Sequence, residues 1–227
     1  QLPLLGFSTK SLELLQLSVS NRIIKKLRHK YKNSIRRFKI QETEFQTNHK
    51  RIKNNTIWIC WFQGINYAPS IVQTCVKSIK KNIPDKEIII LDNSNYKDYV
   101  SLPKFIMDKY NEGKIGSAHF ADLLRLALLI KYGGTWIDST VLCSSANIPR
   151  YMLDSELFLF QTLKPGLNGH PTAISNWFIT AYSNNSILRL TYSLLLEYWQ
   201  SNDSAIDYFI FHDFFQLAIE SLSLIHI

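Results

Sequence analysis

The apolar positions of the chain are most informative where a helical run passes directly into a strand-like run. Between Ser117 and Gly133, apolar residues occupy almost every side of a predicted helix, which must therefore be largely buried. Ser117 is the predicted N-cap, and Gly133 with Gly134 supplies a left-handed stop. The next residues, 135–137, are β-branched or aromatic and predict a short buried strand that ends at Asp138.

Further apolar runs predict the remainder of an α/β domain. Residues 56–62 and 87–91 predict buried parallel strands, and a helix from Pro69 to about Asn82 joins them in a right-handed crossover. This alternation of strands and helices predicts an α/β fold over residues 56–221. Two more strands are predicted at 156–160 and 174–179, and further helices at 103–110, 186–200 and 205–220.

Basic residues alternate with apolar ones near the N-terminus. Five apolar residues between Ile24 and Phe38 recur at helical spacing among lysines and arginines, which predicts a basic amphipathic helix. Residues 41–56 are polar and are interpreted as a linker, so residues 1–55 form a basic arm. Three interpretations stay open: the helix docks on an anionic membrane, binds nucleic acid, or packs its apolar stripe on the domain.

Charge and composition limit the class of protein. Residues 22–53 carry twelve of the 26 Lys and Arg and two Glu, a net +10, so the rest of the +8 chain has a net charge of −2. With 227 residues, 46% hydrophobic, we expect one domain with a substantial core.

The cellular location is predicted from the cysteines and the apolar runs. Three cysteines without metal-ligand spacing, and no apolar run long enough to span a bilayer, predict a cytoplasmic protein. Docking of the arm would place it peripherally on the inner face of the cell membrane. Residues 222–227 read as a non-native tail, which predicts a C-terminally truncated domain.

Two charged residues interrupt the apolar helix. Asp122 and Arg125 are three positions apart and therefore share a helix face. Burying them is costly unless they are paired or used. One interpretation is a structural ion pair. The other is a ligand site shared with Asp138, because the strand that ends there delivers its carboxylate to the carboxyl edge of the sheet.

The composite pattern Asp122-Leu-x-Arg125, seven residues, Gly133-Gly-x-Trp-Ile-Asp138-x-Thr140 resembles the DXD-containing glycosyltransferases of family 32. Within that group it resembles the bacterial capsular polysaccharide synthesis proteins more closely. The resemblance covers about residues 57–215. It implies a GT-A-like, Rossmann-like nucleotide-sugar-binding fold with a mixed sheet flanked by helices. It also implies an enzyme that transfers a sugar from a nucleotide diphosphate donor, with UDP expected, to a capsular or surface polysaccharide. It also implies that the anomeric configuration is retained.

The resemblance assigns roles to individual residues. Trp61, which follows the first strand, would stack on the base of the nucleotide. The alternative is that its ring simply packs in the hydrophobic core. Asp122 and Arg125 would hold the sugar hydroxyls, and Asp138 would hold the ribose and sugar side of the donor. Thr140 stands where relatives carry the second Asp, which puts the divalent cation, Mn²⁺ or Mg²⁺, in question.

Further candidates lie in the C-terminal half. The resemblance implies that Asn176 and Trp177 face the acceptor. His170 lies in the glycine- and proline-rich loop 164–171, where it is either a catalytic or acceptor-side residue or simply an exposed loop histidine. Asp138 and His212 are the candidate metal ligands, and the acceptor is a saccharide or a lipid-linked saccharide. The sequence also fits two other classes: a non-catalytic sugar-binding relative, which Thr140 favours, and a nucleic-acid-binding protein. The near-neutral domain argues against nucleic acid as a partner.

Overall fold

A five-stranded mixed sheet forms the centre of the computed structural model, which describes residues 9–161 and 174–223. The strands are β1 (Thr56–Cys60), β2 (Glu87–Leu91), β3 (Gly134–Ile137), β4 (Leu157–Gln161) and β5 (Ile174–Ala181). Their order in the sheet is β2-β1-β3-β5-β4. The first three strands are parallel, whereas β5 runs antiparallel to both β3 and β4. The predicted mixed α/β architecture is confirmed.

Helices cover the two faces of this sheet. Trp58 of β1 and Trp136 of β3 pack into the larger core, while their neighbours Ile57, Ile59 and Ile137 face the second, smaller one. This period-two alternation is what a sheet covered on both faces requires. None of the helices in the described ranges is long and apolar enough to cross a membrane. The helices are α1 (Thr9–Lys30), α2 (Lys32–Asn48), α3 (Ser70–Asn82), α4 (Tyr96–Tyr99), α5 (Lys104–Asn111), α6 (Ser117–Tyr132), α7 (Arg150–Asp154), α8 (Ser186–Ser201) and α9 (Ile210–Ser223).

The turn between α6 and β3 requires both of its glycines. Gly133 and Gly134 have φ angles of +74° and +98°, and a Cβ on Gly134 would lie 2.4 Å from the Thr56 carbonyl oxygen. The predicted left-handed stop is thus confirmed. At the other end, the predicted N-cap is wrong by one residue. Gly116 holds the extended cap position and Ser117 is already helical.

The N-terminal helices differ from the prediction in extent. The helix breaks at Tyr31, and α2 then continues through Asn48, so residues 41–48 are not a linker. This polar segment is helical, and contacts with α8 stabilise it. Glu42 accepts a 2.6 Å hydrogen bond from Arg189 of α8, and the Arg189 guanidinium lies over the Phe45 ring. The apolar stripe is buried, and Tyr31 packs edge-on against Phe214 of α9. The helices therefore pack their apolar stripe on the domain.

The last helix is also shifted from the prediction. It begins at Ile210 rather than near 205, because Asp207 accepts a hydrogen bond from the Phe209 backbone N–H at 2.9 Å and holds a turn before the helix. Leu222, in the last turn of α9, is 8% exposed and belongs to the larger hydrophobic core. Residues 222 and 223 are therefore helical, whereas 224–227 of the predicted tail lie outside the described residues.

Candidate active site

The candidate site lies at the carboxyl edge of the parallel strands. From β1 the sheet extends to β2 on one side and to β3 on the other, so the strand order reverses at this point. Such switch points leave a crevice where open α/β sheets bind ligands. Here a cavity of about 440 Å³ opens between α6, the strand ends and the loop before α9. Seven of the predicted residues line it: Trp61, Asp122, Arg125, Asp138, Thr140, Asn176 and His212.

Arg125 is the most constrained side chain of the cavity. It is 4% exposed, and its guanidinium stacks over the Trp136 ring at 4.9 Å. Nη1 donates to the Asn176 carbonyl oxygen at 2.6 Å and lies 3.3 Å from Asp122 Oδ1, while Nη2 donates to Asp138 Oδ1 at 3.3 Å. Two carboxylates, one carbonyl and one ring thus fix the orientation of one cation. Its Nε is buried and has no hydrogen-bond partner among the described residues.

Asp138 is delivered to the cavity by the end of β3. Its backbone N–H donates to the Trp177 carbonyl oxygen at 2.8 Å, which continues the pairing of β3 with β5. Its Oδ1 accepts from Trp136 Nε1 at 2.6 Å as well as from Arg125. Because both of these side-chain hydrogen bonds reach Oδ1 and the side chain is 35% exposed, Asp138 can still accept a hydrogen bond from a ligand.

Asp122 has an unusual proton affinity. Burial raises its pKa to about 6; the Asp138 charge acts in the same direction, whereas Arg125 and the Asn176 side chain oppose the increase. Asn176 Nδ2 donates to Asp122 Oδ1 at 2.9 Å. The geometry is therefore compatible with both interpretations of Asp122 and Arg125. They form an ion pair, and they also line the cavity beside Asp138.

A register shift in the sheet orients Asn176 and Trp177. The pairing of β4 with β5 shifts between Leu159 and Gln161, and bulges of this kind redirect side chains near binding sites. Asn176 turns toward α6, where it contacts Asp122. Trp177 turns to the opposite face of the sheet and stacks on Phe160 at 4.7 Å. Trp177 therefore does not line the cavity, and its position facing the acceptor stays a prediction.

Trp61 lies at the wall of the cavity rather than in the core. Its backbone N–H donates to the Leu91 carbonyl oxygen at 2.9 Å, and its carbonyl accepts from Gly64, whose φ of +87° allows the turn. The ring is half-buried, and its indole N–H is buried without a hydrogen-bond partner in the described part of the chain. A buried donor without a partner is costly, so a ligand oxygen would be favoured there.

His212 and Thr140 also reach the cavity, whereas His170 lies outside the described residues. Burial lowers the pKa of His212 to about 4, and the nearby Arg125 charge contributes to the decrease. A hydrogen bond to the Phe209 backbone opposes the decrease, and the imidazole is neutral at pH 7. Thr140 is exposed at the rim.

Some cavity residues were not predicted. Trp136 packs beneath Arg125, and its position two residues before Asp138 was the available signal, since side chains two apart in a strand share a face. Tyr208 and Phe209 reach the cavity from the loop before α9, and no sequence pattern marked them.

The residues do not assemble a metal site by themselves. Within the described ranges, no group of three or more His, Cys, Asp or Glu side chains is placed to hold a metal ion. Asp138 contributes one carboxylate to the cavity. Thr140, at the position where the family pattern has a second Asp, supplies only a neutral hydroxyl. Arg125 already places a positive charge against Asp138.

Comparison with known proteins defines the family. A family model for capsular polysaccharide synthesis proteins matches residues 7–226, nearly the whole chain. The chain belongs to this family. The match confirms the resemblance that the Asp122–Thr140 pattern predicted. The residues that line the cavity all lie within the matched range.

Individual relatives are more distant. The chain is 24% identical to "O-glycosyltransferase braB" of Annulohypoxylon truncatum, in an alignment that covers 68% of this chain and 40% of that protein. It thus spans about two-fifths of the length of that relative. A solved structure of "PaToxG Glycosyltransferase" is 15% identical, with a TM-score of 0.47 over 94% of this chain and 83% of that chain.

Proposed function

We propose that this chain is a glycosyltransferase that moves a sugar from a nucleotide diphosphate donor to a saccharide acceptor. The observation that supports it most is Arg125, which is held between Asp122 and Asp138 at the wall of the 440 Å³ cavity. A guanidinium this well oriented costs little reorganisation when a ligand arrives, which is what stabilisation of developing charge requires. The family match and the relative named as a glycosyltransferase support the same reaction class.

The chemistry of transfer follows from the charges. The bond between the sugar anomeric carbon and the diphosphate oxygen breaks, and a bond from that carbon to the acceptor hydroxyl oxygen forms. The hydroxyl proton passes to the leaving diphosphate or to water, and negative charge develops on the diphosphate as it leaves. Among the described residues that line the cavity, Arg125 carries the positive charge that can bind the diphosphate or the adjacent sugar hydroxyls. The Asp122 carboxylate fixes the orientation of its guanidinium. Asp138 accepts hydrogen bonds from the ribose or the sugar. His212, neutral at pH 7, lines the cavity and can contact a hydroxyl of the donor.

Finer assignments extend this proposal. Trp61 stacks on the base, for which we propose uracil, because its ring lies at the cavity wall and its indole N–H lacks a partner. The family resemblance supports a GT-A-like arrangement, retention of configuration and a capsular or surface polysaccharide as the acceptor. Asn176 positions the Asp122–Arg125 pair and lies between the donor and acceptor sides.

A divalent cation is compatible with part of the site. Mg²⁺ is commonly held by one or two carboxylates together with substrate phosphates, so Asp138 alone fits that pattern. His212 is neutral at pH 7, the form in which imidazole binds metals. When bound, Mn²⁺ or Mg²⁺ would supply positive charge for the diphosphate, in addition to that of Arg125.

A second candidate function is sugar-nucleotide binding without transfer. Exposed, neutral Thr140 at the position of a second carboxylate is the observation that favours it. Release of UDP from a panel of UDP-sugars, with and without Mn²⁺, separates the candidates. We expect release by the native chain and loss of at least tenfold in Asp138→Ala. UDP binding without release would favour the second candidate, and full turnover in Asp138→Ala would contradict the site assignment.

We also propose that the N-terminal helices bind an anionic membrane surface, through a different face from the buried stripe. Leu15 and Val19 of α1 are 52% and 48% exposed, and exposed Arg22 and Lys26 continue the same helical row. Each cation near anionic lipid contributes about 1 kcal/mol. We expect Leu15→Asp to weaken flotation with anionic vesicles, whereas Ile71→Asp on α3 should not. Equal flotation of both variants would contradict membrane docking.

A further inference from the structure

A second cavity lies across β3 and β5 from the candidate active site. Its volume is about 260 Å³, and its walls come from α3, α7 and the segment that follows Asp138. Ile79, Ile83 and Met152 form its floor, and Leu142, 59% exposed, lies at its rim. The described residues that line it include no Asp, Glu, Lys, Arg or His. We call this cavity the apolar groove; its lining favours an uncharged, apolar ligand.

Trp177 brings an aromatic surface into this groove. Trp177 and Phe178 are adjacent in β5, yet both line it, because the register shift between β4 and β5 interrupts the usual alternation of faces. Trp177 stacks on Phe160 with an interplanar angle of 14° and remains 36% exposed. An exposed, rigidly stacked indole is a suitable platform for a sugar ring or an apolar chain.

The groove is continuous in the chain with the candidate active site. Residues 138–140 line the first cavity, and residues 141–145 line the groove. The same division occurs in β5, where Asn176 lines the first cavity and Trp177 and Phe178 line the groove. The Asp138 backbone N–H bonds to the Trp177 carbonyl oxygen at 2.8 Å, so a direct backbone contact joins the linings of the two cavities. A ligand that extends from the groove past Trp177 would therefore reach Asp138, at the edge of the donor site.

From this continuity we propose that the groove binds the apolar aglycone of the acceptor, an alkyl or isoprenoid chain carried by the saccharide that receives the sugar. The inference rests on the proposed transferase function, because a transferase needs an acceptor at the rim of its donor site. The groove binds the chain, Trp177 supports the first sugar, and the acceptor hydroxyl reaches the donor across the rim formed by Asp138 and Asn176.

The test compares two uncharged glycosides that differ in apolar length. Binding of n-octyl-β-glucoside, below its micelle concentration, and of methyl-β-glucoside is measured by ligand-observed NMR titration. Each buried methylene contributes about 0.8 kcal/mol, so two buried methylenes already give about tenfold tighter binding of the octyl compound. Leu142→Asp should abolish this advantage. Ile71→Asp, a matched change at a 66% exposed position of α3 outside the groove, should preserve it.

Parallel titration with UDP separates the two proposals. If UDP binds and the wild-type chain shows no octyl advantage, the groove assignment is overturned and the transferase proposal stands. If the octyl advantage is present and depends on Leu142 but no UDP binds, the groove remains an apolar binding site and its role for an acceptor is overturned. A change from dimer to monomer in Leu142→Asp, seen by light scattering, would assign the groove to an interface between two copies and overturn the proposal.

Discussion

The raised pKa of Asp122 predicts a specific dependence of stability on pH. Its folded-state pKa of about 6 exceeds the ordinary Asp value of about 3.9, so the native state binds this proton more tightly than the unfolded state does. The free energy of unfolding therefore falls as the pH rises through this interval. Two pKa units correspond to at most about 3 kcal/mol. Asp122→Asn keeps an oxygen that can accept the Asn176 hydrogen bond, yet it cannot titrate, so this loss should disappear.

Urea denaturation followed by circular dichroism at intervals from pH 4 to 8 measures the effect. The difference in unfolding free energy between Asp122→Asn and wild type should grow as the pH rises and level off above pH 7. Asp213, whose pKa burial raises to about 7, titrates in both proteins and cancels in the difference. Asp92→Asn is the control: the Ser94 hydroxyl lowers the pKa of Asp92, so its stabilisation is lost only below the ordinary Asp range of about 4, and its difference from wild type should stay flat from pH 5 to 8. Parallel curves for wild type and Asp122→Asn would refute the account.

Three further predictions concern the site and its scaffold. Arg125→Lys cannot reproduce the planar contacts with two carboxylates, and we expect kcat/KM for UDP release to fall by about tenfold or more; an unchanged value would contradict the role of Arg125. Gly134→Ala should destabilise the fold by about 3 kcal/mol or more in urea titrations, because its Cβ would overlap the Thr56 carbonyl oxygen. Trp61→Leu should raise KM for the donor about tenfold and leave kcat within a factor of two. Unchanged KM would place Trp61 in the wall without a contact to the base.

The central strands and their connections could be predicted from sequence because local patterns determine them. Residues 88–91 form an uninterrupted apolar run after Glu87, and β2 covers Glu87–Leu91 in the structure as predicted. Gly133 and Gly134 mark a turn that no other residue can form, so the position of Asp138 after β3 followed directly. The helical spacing of Asp122 and Arg125 likewise placed both on one face, which the ion pair at 3.3 Å bears out.

Features that depend on tertiary contacts could not be predicted in the same way. Residues 41–48 are polar and look like a linker, but Arg189, far away in sequence, contacts Glu42 and Phe45 and keeps them helical. Trp177 and Phe178 line the same cavity because of the register shift with β4, whereas a strand pattern alone predicts strict alternation. The loop before α9 contributes cavity residues through its path in space, which no periodicity reveals.

A structure of the protein soaked with a UDP-sugar tests the central claim most directly. The account predicts electron density for the donor in the 440 Å³ cavity, with its diphosphate or sugar in contact with Arg125 and Asp138 and its base against Trp61. Donor density at another surface, or a donor in this cavity that touches neither Arg125 nor Asp138, would contradict the claim.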